Sequence, residues 1–185
     1  MKIFKKRFFA FILAFLIIVT SSLLSVNIRL NKEFSAVSED FYSGVLIDGK
    51  RDISIHSQLI IIGRAAEEIA AVAERNGLDV AEFRDNVDYF NHDILVMDGD
   101  FSYLHYLYGE LLDDIMDVGT SINSTTLDSK DEQIVVKALE DIISAKENIE
   151  NSAYNERVRK YISALHFPMD VLADITGAFL PEYFA

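Results

Sequence analysis

Residues 8–28, FFAFILAFLIIVTSSLLSVNI, decide how the chain is built. The stretch holds no charged residue and is dominated by Phe, Ile, Leu and Val. Wound as a helix, its 21 positions span roughly 30 Å, the thickness of a bilayer core. Phe8, Phe9, Phe11, Leu13, Phe15, Leu16, Ile17, Ile18, Leu23 and Leu24 supply the apolar surface of the expected membrane anchor. Lys5, Lys6 and Arg7 precede it and mark the cytoplasmic side, which sends the rest of the chain to the far face. Thr20 and Ser22 are small enough to precede a signal-peptidase cut. Leu23, Leu24 and Val26, however, prolong the apolar run beyond a usual signal core, which favours an uncleaved anchor.

Beyond the run, Leu30, Phe34, Val37 and Phe41 recur at helical spacing, so the anchor is expected to continue as a helix into the body. Gly44, Asp48 and Gly49 mark a break. A second helix is expected over 52–76, with Ile55, Leu59, Ile62, Ala66, Ile69 and Val72 on one face and Asn76-Gly77 as its stop. Ile60 and Ile61 are expected to widen its buried face. Asp79 opens a third helix, with Glu82 in capping-box spacing and a stripe of Val80, Phe83, Val87, Phe90, Ile94 and Met97. After Asp98-Gly99-Asp100, a fourth carries Phe101, Leu104, Leu107, Leu111, Ile115, Val118 and Ile122. One long helix is then expected over 128–166, with Tyr154 and Asn155 in its interior, until Pro168 ends it.

No segment alternates as a strand, and no repeat of 20 to 50 residues stands out. The expected fold is all-α: an N-terminal transmembrane helix followed by an antiparallel up-down bundle of about four long helices. Residues 1–28 form the basic stub and anchor, and 29–185 the extracytoplasmic bundle.

Charge narrows the partners. The net charge is −13. Residues 1–28 carry +4, so the remainder carries −17. A body that acidic repels phosphate backbones, so nucleic acid is not an expected partner. The chain has no cysteine, which excludes disulfides, thiolate metal sites and a cysteine nucleophile.

The candidates for chemistry are few. His92, Asp98 and Asp100 are the candidate divalent-cation ligands, though aspartates before a helix ordinarily cap it. None of His56, His92, His105 and His166 has a second histidine four residues away to complete a two-imidazole grip from one helical face. A calcium loop begun at Asp98 would place Gly109 where its glutamate belongs. Glu110, Asp113, Asp114 and Asp117 read as a solvated face, and Phe101, Tyr103, Tyr106 and Tyr108 as packing. The sequon at Asn123-Ser124-Thr125 has meaning only in a eukaryotic secretory pathway. No Gly-rich phosphate loop and no Gly-x-Ser-x-Gly elbow occurs.

The C-terminal pattern carries a resemblance. Tyr154, Asn155 and Val158, then Tyr161, the Phe167-Pro168 break, Gly177 and the pair Tyr183-Phe184 resemble the closing motif of the LemA family. The layout around Phe41-Tyr42-Ser43-Gly44-Val45 is similar to that family's first soluble segment. The chain departs from the pattern at Glu150-Asn151, at Ile162 and at Ser57-Gln58-Leu59-Ile60-Ile61-Ile62, as a divergent member would. The resemblance implies a bacterial single-pass membrane protein with an extracytoplasmic helical bundle, no cofactor and no established enzymatic activity.

The function expected from the sequence is interaction or scaffolding at the cell envelope, with the lipid bilayer and another envelope protein as partners. A ligand- or divalent-cation-binding bundle is the alternative reading. A hydrolytic enzyme is a remote third, because no convergent catalytic set is present.

Overall fold

In the computed structural model, residues 2–96, 100–165, 171, 173, 175 and 181–184 are described, with side chains from Ala10 onward. Six helices occur among them: α1 (Lys2–Ser43), α2 (Ile55–Arg75), α3 (Ala81–Val96), α4 (Phe101–Asn123), α5 (Ser129–Glu150) and α6 (Tyr154–Ala164). A two-residue hairpin, β1 (Leu46–Ile47) with β2 (Lys50–Arg51), follows α1. The fold is all-α, and the chain forms two compact units.

The first unit comprises Met1–Val37 and Arg159–Pro181. Its α1 segment is long and apolar enough to cross a membrane, and no residue of the apolar window is buried. Phe11, Leu13, Phe15, Leu16, Ile17, Ile18 and Leu24 are exposed and Leu23 is half-buried; the side chains of Phe8 and Phe9 lie outside the described residues. Thr20 donates to the Leu16 carbonyl at 2.8 Å, so its hydroxyl is satisfied inside the helix. The stripe expected beyond the apolar run is present, with Leu30 and Val37 fully buried. Tyr161 is buried as well, and its hydroxyl donates to the Leu30 carbonyl at 3.4 Å.

The second unit comprises Ser38–Val158 and Glu182–Ala185. Here α2, α3, α4 and α5 form the antiparallel up-down bundle, with α2 packed along the other three. Short connections between successive helices force the reversals. Ser54 caps α2 by accepting from the Ser57 amide at 3.0 Å, and Gly77 follows its end at φ 78°. The stripe read from the sequence is buried throughout: Ile55, Leu59, Ile62, Ala66, Ile69 and Val72. Enclosing a leucine or isoleucine side chain of this kind contributes about 1.5–3 kcal/mol, so this helix is the main source of core stability. Ile60 and Ile61 do not widen that face. They are 42% and 40% exposed, because steps of 100° carry them off the stripe.

The expected break is present and takes a definite form, and two further expectations are corrected. The break at Gly44–Gly49 is a hairpin whose turn residues Asp48 (φ 49°) and Gly49 (φ 79°) both adopt the left-handed conformation a tight primed turn needs. In α4, Tyr108 takes the buried position expected for Leu107. The single helix expected over 128–166 is two, because α5 stops at Glu150 and α6 starts at Tyr154. Asn151 closes α5, its side chain donating to the Glu147 carbonyl at 2.8 Å. The Ala153 amide then donates to the Asp52 carboxylate at 2.9 Å, so an acid 101 residues away serves the start of α6. Tyr154 and Asn155 therefore stand in the first turn of α6 and not in a helix interior.

Candidate functional site

Three of the residues singled out near the C-terminus, Tyr154, Asn155 and Phe184, meet in the second unit. Phe41, from the last turns of α1, stacks on Phe101 at the start of α4, with ring centroids 4.1 Å apart. Tyr154 sets its ring edge-on against both, at 5.5 and 5.8 Å. Phe184 completes the cluster, 5.6 Å from Phe41, 5.9 Å from Tyr108 and 5.0 Å from the His105 ring. Phe41, Phe101 and Tyr154 are each at most 1% exposed. Offset and edge-on pairs of this kind each contribute about 0.5–1.5 kcal/mol beyond the area they bury.

Polar contacts fix the tail in this cluster. The Asn155 side chain donates from Nδ2 to the Phe184 carbonyl at 2.8 Å and accepts on Oδ1 from the Phe184 amide at 2.9 Å. One amide side chain thus pairs with both backbone groups of one residue, as a neighbouring strand would. The Tyr154 hydroxyl donates to the Glu182 carbonyl at 2.9 Å. The Ser102 amide donates to the Glu182 carboxylate at 3.3 Å. That carboxylate, from the tail, faces the first turn of α4, where a negative charge is favoured.

These groups are engaged with one another. Burial, with Glu150 adding to it, pushes the Tyr108 hydroxyl up to about 12, and burial raises Tyr154 further. Both phenols stay protonated at neutral pH. Both Asn155 amide functions are taken by the backbone of Phe184. The arrangement is therefore a clasp for the chain's own tail.

Of the divalent-cation candidates, His92 and Asp100 fall within the described residues. Asp100 caps α4, accepting from the Tyr103 amide at 3.0 Å. His92 is exposed on α3, and Asp98 lies outside the described residues. Among the described residues, no three His, Asp or Glu side chains are grouped to hold a metal. Glu110, Asp113 and Asp117 are exposed, while Asp114 accepts from Asn86 at 2.9 Å. Of the remaining motif residues, Val158 is buried in the second unit and Tyr183 is half-buried. Phe167, Pro168 and Gly177 lie outside the described residues.

A second polar centre escaped the sequence reading. Asp131, at the start of α5, accepts from Arg75 at 2.6 Å and from Asn76 at 2.8 Å, tying α5 to the end of α2. These two hydrogen bonds, Arg75 first, hold the Asp131 carboxyl below the usual carboxylate value. Asn76-Gly77 was legible as a helix stop, but no local pattern links Asn76 to Asp131.

Fold and site together define an all-α chain that clasps its own C-terminal tail and has, among the described residues, one membrane-length apolar helix. No family model, curated protein or solved structure matches the chain.

Proposed function

We propose that this is a single-pass membrane protein whose helical bundle lies outside the cytoplasm and holds other envelope proteins near the bilayer, without catalysis. The observation that carries the reading is the uncovered apolar surface of α1. Seven anchor side chains, from Phe11 to Leu24, are exposed where water would penalise them and lipid would not. Lys5, Lys6 and Arg7 orient the helix with its N-terminus inside.

The polar groups at the aromatic end support interaction in preference to chemistry, since they are spent on the tail. Membership of the LemA family, as a divergent bacterial member, belongs to the same proposal. Tyr154, Asn155 and Phe184 join in one clasp, which supplies a physical reason for such residues to recur together.

Washing membranes with alkaline carbonate, which strips peripheral proteins, tests the anchor. The full chain is expected to stay in the membrane pellet. Release into the supernatant would refute the reading.

A further inference from the structure

We infer that a groove between α2 and α5 receives the acidic outer face of α4 from a second copy of this chain. The groove has a volume of about 440 Å³ and is floored by Ala71 and Ile134. Arg75, Lys130 and Lys137 line it, with Glu68 as the single acid. Residues 38–158 contain nine Lys and Arg against 26 Asp and Glu. Three of those nine cations border this groove, so its charge is locally reversed. Arg64 approaches Glu68 at 3.9 Å and offsets its charge. Arg75 is partly offset by Asp131, yet its side chain remains 54% exposed. Lys130 and Lys137 are exposed and seven residues apart, two turns along one face of α5.

Charge complementarity selects the occupant. On α4, Glu110 and Asp117 are also seven residues apart, with Asp113 between them, and all three are exposed. Tyr106 lies on the same helical face and is 58% exposed. Glu110 and Asp117 match the two-turn spacing of Lys130 and Lys137. The Tyr106 ring supplies an apolar body with a polar tip for the floor of Ala71 and Ile134. An anionic membrane is a poorer occupant, because lipid recognition of that kind uses clusters of about 4–8 Lys and Arg and this unit is strongly acidic. Groove and acidic face are different surfaces of one chain, so the contact is head-to-tail and propagates unless rotation closes it. This deepens the interaction reading above and rests on it for the contact's role, with a second copy as the first partner held.

Charge reversal tests the contact on the full chain in zwitterionic detergent, by sedimentation velocity. The wild type is expected to associate with rising concentration, and less so in high salt. K130E/K137E, which sets an acidic groove against an acidic face, and E110K/D117K, which sets a basic face against a basic groove, should each lose association by about tenfold or more. An equimolar mixture of the two variants should restore it, since opposite charges then meet across both kinds of contact. A monomeric wild type, variants that associate as the wild type does, or a mixture that stays apart would each overturn the proposal. Loss of wild-type association on adding phosphatidylserine vesicles, but not phosphatidylcholine, would assign the groove to lipid and overturn it equally. If the proposal fails while crosslinking in intact cells still captures neighbouring envelope proteins, the broader interaction reading stands.

Discussion

Asn155 shows how little of a side chain's role is local. Its amide donates and accepts at the backbone of Phe184, 29 residues away. Asn155→Ala removes both bonds and strands a backbone amide and a carbonyl in a partly buried setting, which costs about 1–3 kcal/mol. Tyr154→Phe keeps the ring and deletes only the bond to Glu182, at about 1 kcal/mol. Thermal melts of the full chain in detergent should rank them in that order. Equal melts for Asn155→Ala and the wild type would remove the clasp from the account.

Asp131 makes the complementary electrostatic prediction. Its folded-state pKa is depressed by Arg75 and Asn76, so its stabilisation is fully present above the ordinary carboxylate value of about 3.9. That stabilisation is lost as pH falls from there through the folded value. Asp131→Asn should flatten the acid limb of the stability curve below about pH 4, with denaturant midpoints measured across pH. The sequence shows Asp131 only as the third residue of α5, three after its cap Asp128, so its longer-range bonds left no local mark.

At the level of elements, stripes were legible, and stops only where a glycine marks them, as Gly77 does after α2. The buried faces of α2 and α3 match the spacings of their apolar residues, because periodicity reports the side that leaves water. The α5–α6 break was illegible. Asn151-Ser152-Ala153 contains neither proline nor glycine, and the group that serves the new helix start, Asp52, is remote in the chain. The hairpin after α1 was half legible, since Gly44, Asp48 and Gly49 announced a break but a two-residue strand is too short to alternate. Gly44 is its most constrained position. It has φ 81°, and a Cβ added there would overlap the Asp52 carbonyl oxygen. Gly44→Ala therefore combines backbone strain with a backbone clash that no rotamer relieves. Destabilisation by about 2 kcal/mol or more is expected, whereas Gly49→Ala, with open space around it, meets only the φ penalty. A denaturant titration in which the two variants coincide would contradict this.

Across the whole molecule, the membrane-length apolar helix was the most legible feature and the clasp the least. A charge-free run of membrane length declares itself by composition alone. The clasp had to be assembled from Phe41, Phe101, Tyr154 and Phe184, which are far apart in sequence, so no local pattern announced which rings would meet. The aspartates flanking α4 were ambiguous for a different reason: capping and cation ligation draw on the same residue type, and Asp100 is used as a cap.

The proposed topology has α1 threading a membrane and the bundle outside the cytoplasm. Because the chain has no cysteine, a single introduced thiol reports its own side of the membrane. Asp113→Cys, on the exposed face of α4, is expected to react with a membrane-impermeant maleimide in intact cells. Lys2→Cys is expected to react only after lysis. Labelling of Lys2→Cys in intact cells with Asp113→Cys protected, or protection of both, would contradict the account.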